Sequence, residues 1–137
     1  MNRDEIVSNI ETILMDSKDV LGFKTFVHYP TSAAREEDTP CLFLYEGVDQ
    51  VTNKSFKSRR NTPKIRALEI FLEVLDKPED IMARIRALRE KILSFGDTFL
   101  QSSISEDKTE GPMACGIPNI VVCRLVLSAI YKDTIQS

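Results

Sequence analysis

The segment Ile65 to Leu75 constrains the fold more than any other part of the chain, because its side chains alternate with a period of two. In an extended strand, this period places alternate residues on opposite faces of a sheet. One face is wholly apolar and predicts a buried side, whereas the other carries two carboxylates and predicts a side that meets water or a partner. The apolar face holds Leu68, Ile70, Leu72 and Val74, and the mixed face holds Ala67, Glu69, Phe71 and Glu73.

A second long alternating segment, Asn119 to Lys132, lies near the end of the sequence. One of its faces is apolar, and the other is half apolar with interspersed polar and basic residues. The segment is therefore predicted to be a strand that buries one face and leaves the other partly apolar. The apolar face holds Val121, Cys123, Leu125, Leu127, Ala129 and Tyr131, and the mixed face holds Ile120, Val122, Arg124, Val126, Ser128, Ile130 and Lys132.

Two segments have apolar residues at the spacing of an amphipathic helix. The first is predicted from Asp4 to Asp16, and Asn2 can cap it. The second is predicted to start at Asp76, which can act as the N-cap, and to run to about Ser94. The apolar stripes are Ile6, Val7, Ile10, Ile13 and Leu14 in the first helix, and Ile81, Ile85, Leu88, Ile92 and Leu93 in the second.

Three further segments complete the predicted layout. Phe23 to Tyr29 and Cys41 to Val51 are rich in β-branched and aromatic residues and predict strands. Asp97 to Pro118 carries Ser, Gly and Pro and is predicted to be irregular, with a short extended piece around Phe99 to Ile104. This order of elements predicts one α+β domain over residues 1–137, with a mainly antiparallel sheet and two helices packed on one face.

Charge and composition narrow the class of protein. The formal net charge is −3, from 18 basic and 21 acidic residues, which argues against a dedicated nucleic-acid binder. The apolar runs are too short to cross a bilayer. Acidic residues come early, at Asp4 and Glu5, and no apolar h-region appears, so no signal peptide is expected. Three cysteines are too few and too scattered for a disulfide framework. We therefore expect a protein that is made and kept in a cytoplasm, without a membrane partner.

Residues with catalytic or ligand-binding chemistry are sparse. His28 is the one histidine, and no metal-ligand spacing accompanies it, so a structural or surface role is expected. Cys115 has no evident base that would make a thiolate, and the five glycines form no phosphate-binding loop. Glu69 and Glu73 would lie about 13 Å apart along a strand, too far for an acid–base pair. The sequence therefore predicts no catalytic, cofactor-binding or metal-binding residue, and no enzyme activity.

The most distinctive local feature is the segment Lys54 to Lys64, which holds five basic residues and no acidic one. It can be a flexible exposed loop, or a loop that contacts DNA or an acidic protein surface. An aromatic residue within it favours contact, because exposed aromatic side chains often anchor interfaces. The candidate interaction residues are Lys54, Phe56, Lys57, Arg59 and Arg60.

The mixed faces of the two long strands suggest an oligomer. Two helices can cover only one face of the sheet, so apolar residues on the other face would be exposed unless another subunit covers them. The sequence therefore predicts a homo-oligomer with a subunit interface on that face. The candidate interface residues are Phe71, Ile120, Val122, Val126 and Ile130.

The order of these elements carries a family resemblance over nearly the full chain. The features are the helix Asp4 to Asp16, the strands Phe23 to Tyr29 and Cys41 to Val51, the loop Lys54 to Pro63, the strand Lys64 to Leu75, the helix that begins near Pro78, and the strand Ile120 to Tyr131. In architecture and pattern, this layout resembles the tail terminator, or tail-completion, proteins of long-tailed bacteriophages.

That resemblance implies a fold like that of tail-tube subunits and a ring, usually a hexamer, that caps the head-proximal end of the tail tube. The ring stops tube polymerisation and offers a surface for head joining. The implied partners are further copies of the chain, the tube protein and the head–tail connector, with DNA only passing through the lumen. By the same analogy, Lys54 to Pro63 would face the tube or head, and Glu69 and Glu73 would line the lumen. No catalytic residue or cofactor is implied, and the expected location is the virion tail, after assembly in the host cytoplasm.

Other functions fit the same layout. Another ring-forming tail, neck or baseplate component would share the architecture. A small cytoplasmic α+β protein-binding module would be monomeric or dimeric, whereas a ring would have a larger mass. A small enzyme would need a polar pocket with a perturbed titratable group, for which the sequence offers no candidate.

Overall fold

The computed structural model describes residues 2–52, 64–97 and 103–133. This part of the chain contains two α-helices, five strands and two single-turn 3-10 helices, Glu36–Asp38 and Ser94–Asp97. The helices and strands are α1 (Arg3–Ser17), β1 (Thr25–His28), β2 (Cys41–Val51), β3 (Lys64–Asp76), α2 (Ile81–Leu93), β4 (Ser103–Ala114) and β5 (Val121–Asp133).

The five strands form one sheet in the order β1-β2-β3-β5-β4. β1 pairs parallel to β2, and every other neighbouring pair is antiparallel. β3 lies at the centre, so that Leu72 stands opposite Leu44 on one side and Leu125 on the other. The predicted α+β class with a mainly antiparallel sheet is confirmed.

Both helices pack on the same face of the sheet. Ile6 and Ile10 of α1 and Ile85 and Leu88 of α2 join one buried cluster with alternate residues of the strands. The predicted apolar faces of the two long alternating segments are both directed into this core. The buried members are Leu68, Ile70, Leu72 and Val74 of β3, and Cys123, Leu125, Leu127, Ala129 and Tyr131 of β5, and the partly buried Val121 packs against them.

The start of α1 agrees with the sequence. The side chain of Asn2 accepts a hydrogen bond from the backbone N–H of Glu5 at 2.9 Å, as an N-cap residue does. The acidic residues Asp4 and Glu5 occupy the first turn, where the helix dipole favours negative charge.

The prediction for the start of α2 was wrong. The helix begins at Ile81, whereas Asp76 ends β3, where its buried carboxylate binds the N–H of Lys77 and the guanidinium of Arg84. The Asp76 side chain is therefore bound in an ion pair with Arg84 and does not cap the helix. Leu93 was also misplaced in the apolar stripe, because it is 82% exposed at the end of the helix.

The largest error concerns Asp97 to Pro118, which was predicted to be mostly irregular. Within it lies β4, an edge strand of 12 residues whose one partner among the described strands is β5. Its side chains are mostly polar and exposed, and its register shifts twice, between Glu106 and Lys108 and between Glu110 and Met113. Charged residues, bulges and a proline are common on edge strands because they discourage pairing with other chains, and the same features hide the apolar alternation that marks a strand.

Candidate functional site

The candidate site is the face of the sheet opposite the helices, here called the outer face. Two connections cover one end of it, the β1–β2 connection and the β4–β5 turn. There, a second buried cluster forms from Cys41, Phe43, Leu75 and Ile120, and Ala34, Tyr45, Cys115, Ile117 and Val122 pack against it. The outer face is therefore partly covered by these two connections, without either α-helix.

Two of the five predicted interface residues are not exposed. Ile120 is 3% exposed, because the β4–β5 turn folds it into the second cluster, and its N–H donates to the carbonyl of Ile117. Val126 is 2% exposed and stands between Phe71 of β3 and Lys108 of β4. The argument from exposure therefore fails for Ile120 and Val126. It still applies to the half-buried outer-face residues Phe71, Val122 and Ile130.

The centre of the outer face combines an aromatic ring with an ion pair. Arg124 donates to Glu73 Oε2 from Nε at 3.1 Å and from Nη2 at 2.7 Å, across the register of β3 and β5. Its guanidinium carbon lies 5.1 Å from the centre of the Phe71 ring, within the range of a cation–π contact. The hydrogen bond to Glu73 is the main reason that the pKa of Arg124 is raised. The charge of Glu73 is thus balanced within the chain.

The other predicted lumen residue is also engaged within the sheet. Glu69 Oε1 accepts a hydrogen bond from the backbone N–H of Val48 at 3.1 Å. Val48 lies where the register of β2 and β3 shifts between Glu46 and Asp49, a position at which backbone groups lose their ladder partners. Both predicted lumen carboxylates therefore have partners inside the chain, and their place in a lumen stays a prediction.

Gly47 lets the Phe71 ring lie close against the sheet. A Cβ added at position 47 would stand 2.5 Å from Phe71 Cε2 and 2.9 Å from the Cβ of Glu69. We expect Gly47→Ala to lower the free energy of unfolding by about 1–3 kcal/mol, as overpacking does, in urea-unfolding measurements. Adding Phe71→Leu should restore part of this loss, because the smaller side chain gives way. Equal stability of Gly47→Ala and the wild type would contradict this packing.

The predicted interaction residues Lys54, Phe56, Lys57, Arg59 and Arg60 lie outside the described residues. The strand ends beside that segment are described. The N–H of Thr52 donates to the carbonyl of Ile65 at 2.8 Å, and Val51 stands opposite Arg66. The ends of β2 and β3 that flank this segment are therefore adjacent in the sheet.

A polar network at the start of α1 was not predicted from the sequence. Arg3 donates to Glu46 Oε1 from Nε at 3.1 Å and to Asp49 Oδ2 from Nη1 at 3.3 Å. The hydroxyl of Tyr131 donates to the same Asp49 oxygen at 2.6 Å, and the hydroxyl of Tyr29 donates to Glu46. These contacts tie the helix to β2 and β5. No local pattern could reveal them, because Arg3 and Glu46 are 43 positions apart.

His28 extends this network towards α1. Its Nδ1 lies 2.9 Å from Glu11 Oε2, and its Nε2 lies 3.4 Å from Glu46 Oε2. Its ring stacks on that of Tyr29, with centres 4.2 Å apart. Burial and the hydrogen bond to Glu46 together raise the pKa of Tyr29 to about 12.

Among the described residues, no group of three or more His, Cys, Asp or Glu side chains is arranged to hold a metal ion.

The network should make stability depend on pH through Glu46. Burial disfavours its charged form, but hydrogen bonds from Tyr29 and Arg3 outweigh burial and lower the pKa of Glu46. Because the folded-state pKa is the lower one, ionised Glu46 stabilises the fold above the unfolded value of about 4.3. This stabilisation is lost as the pH falls through the folded-state pKa.

We therefore expect Glu46→Gln to be less stable than the wild type at neutral pH, and to lose less further stability as the medium is acidified to about pH 3. Urea midpoints measured across that range check this. Glu90→Gln, an exposed change on α2, is the control for removing one negative charge. Parallel pH profiles for Glu46→Gln and the wild type would show that Glu46 is not responsible.

Comparison with known proteins assigns no family: no protein-family model matches this sequence, and no curated protein matches it significantly. Within the part of the chain that the structure describes, none of the helices is both long enough and apolar enough to cross a membrane.

Proposed function

We propose that this protein is a structural component of a bacteriophage tail, of the tail terminator class. In this role, copies of the chain form a ring, of six subunits by analogy, at the head-proximal end of the tail tube. The ring ends tube polymerisation and presents the surface to which the head–tail connector binds. The proposal starts from the resemblance in element order over nearly the full chain.

One structural observation carries the proposal further. Both helices pack on one face of the sheet, while the outer face keeps half-buried apolar residues, Phe71, Val122 and Ile130, beside the Arg124–Glu73 pair. A surface that mixes apolar side chains with paired charges suits a contact between protein subunits better than it suits a catalytic pocket. It supports an assembly role in general and is compatible with the tail terminator in particular.

The remaining contacts are assigned by analogy. The basic residues Lys54, Lys57, Arg59 and Arg60, with Phe56 among them, would meet the tube or the connector. DNA would pass through the lumen without being read, and Glu69 and Glu73 would stand near its wall. The protein would be assembled in the host cytoplasm and would act in the virion.

The solution mass tests the ring directly. Light scattering over a range of concentrations, with negative-stain imaging of the same samples, should reveal a ring of about six subunits that becomes more populated as concentration rises. Ile130→Asp on the outer face should reduce the ring, while the monomer still unfolds cooperatively, at a lower temperature because Ile130 is half-buried. Thr12→Asp, on the exposed side of α1, is the control and should leave the ring intact. A mass that stays at one or two subunits would favour the small binding module.

A further inference from the structure

One row of side chains on α1 follows the edge of the sheet at which β1 lies. Its members are spaced at i, i+4, i+7 and i+11, so they share one side of the helix. Glu11 fixes the direction of the row, because its Oε2 lies 2.9 Å from Nδ1 of His28, and His28 belongs to β1. This acidic row consists of Asp4, Ser8, Glu11 and Met15.

A row with the same spacing on α2 follows the opposite edge of the sheet. Arg89 fixes its direction, since its Nε donates to Glu106 at 2.8 Å and its Nη2 donates to Thr109 at 2.6 Å, both on β4. β1 and β4 stand at the two ends of the strand order, so the two rows lie on opposite sides of the helix layer. This basic row consists of Met82, Arg86, Arg89 and Leu93.

The two rows are complementary in chemistry. Asp4 and Arg86 are exposed charges of opposite sign, and neither has an ion-pair partner within the part of the chain that the structure describes. Large exposed apolar side chains lie in the same rows, Met15 in the acidic row and Met82 and Leu93 in the basic row. Apolar contact area beside opposite charges suits a contact between two protein surfaces.

The helices as a whole differ in sign in the same way. α1 has four acidic residues and one basic residue, so its net charge is −3. α2 has four basic residues and one acidic residue, so its net charge is +3. This asymmetry favours the approach of α1 of one copy to α2 of another, and it opposes contact between two copies of the same helix.

We propose that the acidic row of one copy binds the basic row of the next, so that copies associate through α1 and α2. Such a contact joins two different surfaces and leaves one free row at each end of an open assembly. Contacts of this kind close into a ring when the rotation between copies permits it. The inference rests on the proposed function for its place in a tail ring, and it adds a contact on the helix layer to the one on the outer face.

The test measures self-association of the native full-length chain by sedimentation velocity over a range of salt concentrations. We expect assemblies of more than two copies that dissociate as salt is raised, because screening weakens attraction between exposed charges. Arg86→Glu should lower the association constant of each contact by about three- to tenfold, since an attraction becomes a repulsion. Lys91→Glu makes the same charge change about 140° away around α2. It is the matched control and should leave association unchanged.

Charge exchange is the second part of the test. Asp4→Lys alone should weaken association as Arg86→Glu does, and the two changes in one chain should restore it, because opposite charges face each other again. An equimolar mixture of the two single variants should also assemble, since every contact between unlike copies then pairs opposite charges. Both positions are exposed, so each variant should keep a cooperative thermal unfolding transition.

The contact is overturned if the wild-type chain stays monomeric at every concentration and salt, or if its assemblies stop at two copies. It is equally overturned if Arg86→Glu associates as well as the wild type, or if Lys91→Glu loses as much. Rings that do not respond to these charges would leave the proposed function standing and remove only this contact. Charge-dependent assemblies that leave growing tail tubes unchanged would support the contact and remove the proposed function.

Discussion

Replacing Asp76 with alanine is expected to lower the free energy of unfolding by about 3–5 kcal/mol, because it leaves a largely buried guanidinium without its partner. The Asp76 side chain is 4% exposed, and its Oδ2 accepts a hydrogen bond from Arg84 Nε at 2.6 Å. The other carboxylate oxygen accepts from the N–H of Lys77 at 2.8 Å. The carboxylate therefore joins the end of β3 to α2.

Arg84 connects this pair to a third element. Its Nη1 donates to the carbonyl of Leu21 at 2.9 Å, and its guanidinium lies 5.5 Å from the centre of the Phe23 ring. Arg84 therefore holds the connection between α1 and β1 against α2. The loss caused by Asp76→Ala should be visible as a lower urea midpoint and a lower melting temperature.

Two control variants separate the ion pair from a general effect of mutation. Arg35→Ala removes an exposed ion pair with Glu37; the side chains of Arg35 and Glu37 are 71% and 65% exposed. This change should lower the free energy of unfolding by less than about 1 kcal/mol. The double change Asp76→Leu with Arg84→Met replaces both charges with apolar groups and should recover much of the loss. An Asp76→Ala protein as stable as Arg35→Ala would contradict this account of the ion pair.

Replacing Leu72 with alanine is the second large change, with an expected loss of about 2–5 kcal/mol in the free energy of unfolding. Leu72 is fully buried on the central strand, between Leu44 of β2 and Leu125 of β5. Truncation removes buried apolar atoms and leaves a cavity that the paired strands on both sides can fill only in part. Urea unfolding measures the loss directly.

Leu93→Ala provides the matched control for Leu72→Ala. The chemical change is the same, but Leu93 is 82% exposed at the end of α2, so the expected change is within about 0.5 kcal/mol. Comparable losses at the two positions would mean that the centre of the sheet is not the core described here.

The central part of this fold was predictable because one physical signal governs it. β3 and β5 each bury a whole face, so their apolar residues repeat with a period of two. The stripe of α1 was equally clear, because Ile6, Ile10 and Leu14 are all fully buried against the sheet. Where one face of a strand or helix is buried along its length, its apolar residues repeat with the period of that element and can be recognised in the sequence.

The errors occur where another interaction replaces that signal. β4 lies at the edge of the sheet, and its side chains are mostly polar, so no apolar alternation marks it. Asp76 has the local surroundings of an N-cap, but a contact with Arg84, eight positions away, determines its role. Such contacts follow from tertiary packing, which a local motif does not contain.

The candidate site was predicted only in part. The outer face, which carries neither α-helix, follows from the two-helix layout, and Phe71, Val122 and Ile130 lie on it. The burial of Ile120 and Val126 depends on the path of the β4–β5 turn and on the pairing of β4, neither of which was predicted. The polar network around Arg3 and Glu46 was also missed, because its members come from distant parts of the sequence.

The most direct test of the proposed function is the action of this protein on growing tail tubes. If the chain is a tail terminator, the tube protein of the phage that encodes it should respond to it. That tube protein would be polymerised with and without this chain, and the tubes would be imaged in negative stain. A tail terminator should add ring-shaped density at one end of each tube and should shorten the tubes as its concentration rises. Tubes of unchanged length, with bare ends at every concentration, would contradict the proposed function.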